Sequence, residues 1–313
     1  MSRTAIKISI VGAGFVGSTV AYTLMMRGIA SEIVLVDVNP DKAAGEAMDI
    51  EHGSPFAAES VARAGSYEDT KASDIVIITA GTNQKPGETR IDLIARNTAI
   101  MRDVASQIAE QSPNAVVLIV SNPVDVMAYV FREVTSFPKN RVIGSGTNLD
   151  SARLRYLLSH KFDVDSHNIH AQVWGEHGDS EFPVWSLVRV GGMNINEASA
   201  QFGDVMADHD YEAIGEAVRN AAYEIINRKG ATYYGIAMSV ARISEAILRD
   251  EKSILPVSVL LRGEYGIDDV YLSLPTVLGE HGVEKVLTPS ISDEELEKLH
   301  NSAAVLKEAR AQI

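Results

Sequence analysis

The chain has 313 residues, and its 42 Asp and Glu outnumber 28 Lys and Arg to leave a formal net charge of −14, which argues against nucleic acid and anionic membrane as partners. With 46% hydrophobic and 22% charged residues a packed core is expected rather than a disordered chain, and at ~100–200 residues per domain the length allows one large or two ordinary domains. Cysteine is absent, which removes disulfide scaffolds, thiolate nucleophiles and Cys-ligated zinc or iron–sulfur sites, and no metal site is expected.

Met1-Ser2-Arg3-Thr4 leads into the short apolar run Ala5 to Val11, which lacks the apolar length and cleavage site of a signal peptide. No apolar stretch approaches the ~20 residues of a membrane span, so a cytoplasmic protein is expected. Ala5 to Val11 reads as a buried strand, Phe15 to Arg27 as a helix stopped by Gly28, and Ile33 to Val36 as a second strand closed by Asp37. Asp41 to Ile50 is expected as a helix, Ile75 to Thr79 as a third strand, Ile91 to Gln111 as a long helix ended by Pro113, Val116 to Val120 as a fourth strand and Val142 to Gly144 as a fifth. Strands alternating with amphipathic stretches predict βαβ units around a parallel sheet.

After about Asp150 the alternation becomes irregular. Strand-like His170 to Val173 and Ser186 to Val190 precede helical segments at Tyr211 to Lys229 and Thr232 to Leu248, extended stretches at Ile254 to Leu261 and Val270 to Leu278, and an acidic-led helix over Asp293 to Arg310. This predicts an α+β second domain. Neither a repeat nor a low-complexity linker separates the halves, so a packed boundary is expected.

Gly12-Ala13-Gly14-Phe15-Val16-Gly17 follows the first strand and opens the first helix, the context that a dinucleotide fingerprint requires. Its glycines would permit a tight turn, backbone approach to a pyrophosphate and close helix packing, while the helix terminus offers N–H groups to phosphate. An ordinary Gly-rich turn would share the spelling. Asp37, at the distance where a carboxylate receives the adenosine ribose, favours the dinucleotide and NAD over NADP; capping the turn at Asn39-Pro40 is its other reading.

Gly175-Glu176-His177-Gly178-Asp179 holds a histidine between glycines after an apolar run, suited to acid–base work or to a plain surface turn. Asp150 and Arg153 share a helix face at i and i+3, where Asp150 can orient an imidazole and Arg153 can grip a carboxylate; a simple intrahelical pair is the alternative. The polar run Gly81-Thr82-Asn83-Gln84-Lys85-Pro86-Gly87-Glu88-Thr89-Arg90, at the carboxyl end of a strand, reads as a lid or as an ordinary solvated loop.

Together with Val120-Ser121-Asn122-Pro123-Val124-Asp125, these segments resemble the NAD-dependent L-lactate and malate dehydrogenase family in order and spacing over essentially the whole chain. The resemblance implies an α/β architecture: a Rossmann NAD-binding domain over 1–147 and a mixed α+β catalytic domain over 148–313. It implies that His177 exchanges the proton of a 2-oxo acid carbonyl, that Asp150 stabilises the imidazolium, that Arg153 anchors the substrate carboxylate and that Arg90 polarises the carbonyl as the loop closes. Asn122 would hold substrate and the nicotinamide region. The implied NAD set is Gly12, Gly14, Val16, Gly17, Asp37, Lys42, Tyr67, Gly81, Thr82, Val120, Ser121, Asn122 and Ser145.

In family members that read malate, the position of Gln84 holds an arginine, so neutral Gln84 implies pyruvate and L-lactate, with a lactate-like malate dehydrogenase as the alternative. Thr232 would form another wall of that pocket, or serve as a helix-start threonine. Arg155 and His170 match positions that bind fructose 1,6-bisphosphate between subunits in bacterial relatives, which implies a homo-oligomer, a tetramer; a surface arginine and a strand-end histidine are the alternative. A non-catalytic NAD-binding regulatory protein is the competing class. Asp103 departs from the small neutral residue usual in the family and is left out of the cofactor set, and Trp174 receives no role.

Overall fold

The structure, a computed structural model, describes residues 5–82, 90–203 and 205–312, with only the backbone at 90–92. The elements run β1 (Lys7–Val11), α1 (Phe15–Met26), β2 (Glu32–Val36), α2 (Pro40–Glu51), β3 (Val61–Ala64), β4 (Ile75–Ile78), α3 (Arg90–Gln111), β5 (Val116–Ile119), α4 (Val124–Val134), β6 (Val142–Gly144) and α5 (Asn148–Phe162). There follow β7 (Ile169–His170), β8 (Val173–Trp174), β9 (Phe182–Pro183), β10 (Arg189–Val190), β11 (Met193–Asn194), α6 (Ile195–Phe202), α7 (Asp208–Lys229), α8 (Tyr234–Leu248), β12 (Ser253–Arg262), β13 (Asp268–Gly279), β14 (Gly282–Val286) and α9 (Asp293–Arg310).

The main sheet has the order β14-β13-β12-β6-β5-β4-β1-β2-β3. From β3 to β6 it is parallel, with the doubly wound order in which the direction of winding reverses between β1 and β4. Its central strands are fully buried because helices cover both faces, which is why they are continuous β-branched runs rather than alternating ones. β12 to β14 extend the sheet antiparallel, joined to β6 where Ser258 pairs with Gly144. The two halves thus share one sheet.

A second core forms where α5 packs with α6 and α7 on the short strands, around Leu154, Leu158, Phe162, Ile169, Val190 and Val218. Local signals fit the helices. Asn39 caps α2 by accepting from Lys42 N, with Pro40 at its start, and Ser292 and Glu295 form a capping box on α9.

Several expectations need correction. β3 and α4 were absent from the sequence reading: β3 is partly exposed and mixes Val-Ala-Arg-Ala, whereas α4 carries a well-marked apolar face that buries Val124, Met127, Ala128 and Phe131. The strand expected over Ser186 to Val190 is a helical turn, Trp185–Leu187, followed by two-residue β10. The helix expected from Thr232 begins at Tyr234, because Tyr233 leaves the helical region (φ −153°) to stack on Phe15 at 5.4 Å under the Lys229 ammonium. Among the described residues no helix is long and apolar enough to cross a membrane.

Candidate active site

The glycine turn lies at the reversal point of the sheet. Gly12 has φ +107°, and an added Cβ there would come within 2.7 Å of Ala80 N; one at Gly17 would lie 1.8 Å from Gly12 O. Both glycines let α1 seat against the sheet. A Cβ at Gly14, by contrast, would meet no atom within 4 Å, and α1 has no side-chain cap at this end. Open space beside a helix terminus with unpaired N–H groups fits the pyrophosphate of a dinucleotide. Asp37 spans the turn, accepting from Ala13 N at 2.7 Å and from Asn39 N at 2.9 Å, so it does organise the strand-to-helix turn while its carboxylate borders the glycine loop.

Tyr67 is half-buried, and after burial itself Asp103 and then Asp37 push its phenol pKa up, which puts Asp103 beside the expected cofactor residues. Val16 and Lys42 lie on α1 and α2, and Ser145 follows β6 with its N–H on Ile119 O at 2.8 Å. Ser121 is buried and donates to Ala80 O. Sequence reasoning missed Asn97 of α3. It is 4% exposed, accepts from Thr82 N at 2.9 Å, and donates to Thr82 O at 3.2 Å and Asn122 O at 2.9 Å, so it ties the stem Gly81-Thr82 to the segment after β5. A polar Asn between the apolar positions Ile94, Met101 and Val104 at helical spacing was its signal. Gln84 lies outside the described residues, and so does the side chain of Arg90, whose backbone opens α3.

Across the sheet, β8 is stapled to the start of α5: Ser151 Oγ accepts from Val173 N at 2.8 Å and donates to Thr147 O at 2.8 Å, and Thr147 Oγ1 donates to Val173 O. Gly175 (φ +98°) then bridges to Ser273 of β13. These bonds aim the following turn at α5. His177 Nδ1 lies 2.7 Å from Asp150 Oδ2, and Arg153 Nη1 donates to Asp150 Oδ1 at 2.6 Å. The expected trio therefore meets, and among the described residues the carboxylate that Arg153 touches is Asp150.

Asp150 is 1% exposed and the His177 side chain 25%. Burial opposes both charges, yet the two groups support each other: Asp150 above all holds the imidazolium so that its pKa stands at about 9. His177 and Arg153 in turn keep the Asp150 carboxyl below the usual carboxylate range. Two further acids, unassigned in the sequence reading, close the site. Asp125 Oδ2 accepts from His177 N at 2.9 Å, and Glu181 Oε2 lies 3.9 Å from His177 Nδ1.

Thr232 is half-buried ahead of α8. Arg155 and His170 line one cavity of about 560 Å³ with Lys285, and no Asp or Glu is among its lining residues. Trp174 is fully buried beside this cavity, its indole N–H donating to Gln172 Oε1 at 2.8 Å and its ring 6.1 Å from Tyr265, a packing role.

Comparison with known proteins agrees with this geometry. Residues 6–144 match the lactate/malate dehydrogenase, NAD binding domain, and residues 147–313 match the lactate/malate dehydrogenase, alpha/beta C-terminal domain. The chain is 52% identical over 306 residues to L-lactate dehydrogenase 1 of Clostridium acetobutylicum (97% of each chain) and 51% identical over 302 residues to L-lactate dehydrogenase of Acetivibrio thermocellus (96% of this chain, 95% of the relative). The crystal structure of MGS-M5, a lactate dehydrogenase enzyme from a Medee basin deep-sea metagenome library, is similar with a TM-score of 0.96 and 45% identity, covering 99% of both chains. With both halves matched over nearly the whole chain, the chain belongs to the lactate/malate dehydrogenase family and is an NAD-dependent oxidoreductase.

Proposed function

We propose that the chain is an L-lactate dehydrogenase that interconverts pyruvate and L-lactate, with residues 1–147 serving the cofactor and 148–313 the substrate. The observation that carries the reading is the buried Asp150 carboxylate shared by His177 at 2.7 Å and Arg153 at 2.6 Å. When bound, NADH supplies the hydride. His177, protonated at neutral pH through Asp150, donates its proton to the carbonyl oxygen as negative charge develops there and recovers it in the reverse direction. Arg153 grips the substrate carboxylate, a charge-assisted contact with the planar fork that suits it. Arg90 polarises the carbonyl, and Asn122 and Thr232 border the substrate. Gly12, Gly14, Val16, Gly17, Asp37, Lys42, Tyr67, Gly81, Thr82, Val120, Ser121 and Ser145 hold NAD, supported by the open face at Gly14 and the carboxylate at Asp37.

Gln84 selects pyruvate, since oxaloacetate would bring a second carboxylate to a closed site without a counter-ion there, at a cost of roughly several kcal/mol. Steady-state kinetics on the two acids tests this: a higher kcat/KM for oxaloacetate would make the chain a lactate-like malate dehydrogenase, and Gln84→Arg should shift preference toward oxaloacetate. Full turnover in His177→Ala would overturn the assignment of His177 as the acid–base group, and no turnover of either acid by the parent chain would leave a non-catalytic NAD-binding protein.

We further propose that fructose 1,6-bisphosphate binds at Arg155 and His170 and favours a homotetramer. Support comes from the cavity they share with Lys285, cationic within an acidic protein, and from burial that presses down the Arg155 pKa, a cost that a bound anion would relieve. The bisphosphate should lower the pyruvate KM or enlarge the assembly in sedimentation; no change in either removes this proposal.

A further inference from the structure

Glu181 is a buried carboxyl beside the acid–base pair that the reaction above leaves without a task. It ends the turn that His177 begins: β8 and β9 pair at Trp174 and Phe182, so the chain returns beside the point where it left. Asp150, His177 and Glu181 therefore bring one polar atom each to within 4.8 Å of one another, and the two carboxyl side chains are 1% and 3% exposed. Two carboxylates this close in a dry pocket do not both ionise. Asp150 holds the bonds to Arg153 and His177, so Asp150 keeps the charge and the proton goes to Glu181.

The surroundings favour the same outcome. Asp125 faces His177 from α4, and Glu176 shares the turn. On the far side of Glu181, a cleft of about 900 Å³ has Asp208, Glu212, Glu294 and Glu297 against Arg219 and Lys298. Burial and then Asp150 push the Glu181 carboxyl far above the usual carboxylate range, outweighing His177 and Arg153.

We propose that Glu181 stands in the site as a neutral carboxylic acid and braces the His177–Asp150 pair, a positioning residue that fills the space beside the imidazole without adding charge. The inference rests on His177 as the proton donor. An ionised Glu181 would make the imidazolium a weaker acid and add repulsion against the carboxylate that Arg153 receives.

The test compares Glu181→Ala and Glu181→Gln in the full-length enzyme with NADH and pyruvate. Removal of the brace in Glu181→Ala should lower kcat about ten-fold or more with KM little changed, and Glu181→Gln, which keeps the shape of the neutral acid, should restore most of that loss. The alkaline limb of kcat/KM should stay in place in Glu181→Gln; a shift of about one unit or more to lower pH would mean that a negative charge had been removed, and would overturn the proposal. Wild-type turnover in Glu181→Ala would overturn the brace. Infrared difference spectra at neutral pH should show a protonated carboxyl band that Glu181→Gln lacks; its absence from the parent enzyme also overturns the proposal. The infrared reading does not depend on turnover, so failure of the His177 assignment, seen as full activity in His177→Ala, remains distinguishable.

Discussion

Asp125 and His177 are joined side chain to backbone across 52 residues, Asp125 Oδ2 accepting the His177 N–H at 2.9 Å while Oδ1 accepts from the Ser258 hydroxyl. Asp125 lies in the first turn of α4, just after Asn122. The backbone of the proposed acid is thereby referenced to the segment expected to hold the nicotinamide, and to β12 through Ser258. Burial raises the Asp125 carboxyl to about 6, with Ser258 and His177 pulling against it.

Replacing Asp125 tests that anchor. Asp125→Ala leaves a buried N–H and hydroxyl without their acceptor and should destabilise the protein by about 1–3 kcal/mol, read by urea denaturation. Asp125→Asn keeps an acceptor for His177 N and should retain most of that stability and most of kcat.

The pH dependence follows from His177. Pyruvate reduction needs the imidazolium, so its kcat/KM should be level through neutrality and fall as pH rises through about 9, while lactate oxidation, which needs the neutral ring, should rise over the same window. For stability the sign is the same: a pKa raised on folding contributes fully below the ordinary histidine value, and the contribution is lost as pH rises through about 9.

Asp150→Asn removes the charge that raises His177. The alkaline limb should move to lower pH by about one unit or more, and kcat should fall ~100-fold or more because the imidazolium loses its counter-charge. An unmoved limb would assign the raised pKa to another group.

Arg153→Lys keeps the charge but loses the fork and the bond to Asp150. A loss of ~1.5–3 kcal/mol, or about 10- to 100-fold in kcat/KM for pyruvate, is expected, larger than any change in NADH affinity.

Gly14 and Gly17 should separate binding from folding. Gly17→Ala drives a Cβ to 1.8 Å from Gly12 O and should lower Tm and solubility. Gly14→Ala has room and an ordinary φ of −76°, so Tm should hold while NADH affinity, followed by fluorescence, weakens about ten-fold or more as the methyl meets the pyrophosphate.

Much of the fold was legible where local pattern and burial agree. β1, β2, β4 and β5 are apolar runs because they are buried on both faces, and the glycine turn announces itself by position as well as spelling. β3 escaped because an edge strand with an exposed Val61 and an Arg63 bonded to Glu32 and Asp69 carries little apolar signal. α4 escaped although its helical pattern is marked, with Val124, Met127 and Phe131 buried while Glu133 and Val134 at its end are exposed. In the site, His177, Asp150 and Arg153 were nameable from residue type, neighbours and resemblance, whereas Asn97, Asp125 and Glu181 were not assigned.

By itself the sequence pointed to the class of chemistry: a glycine turn placed for phosphate, a carboxylate expected at the ribose, and an imidazole, a carboxylate and a guanidinium expected to handle a 2-oxo acid. Tertiary structure decided which charges exist. The 2.7 Å between His177 and Asp150 depends on β8 being stapled to α5, and the neutral state proposed for Glu181 depends on the β8–β9 return burying it beside a carboxylate that already has two partners. Protonation is set by distance and solvent access, and neither is a property of residues one at a time.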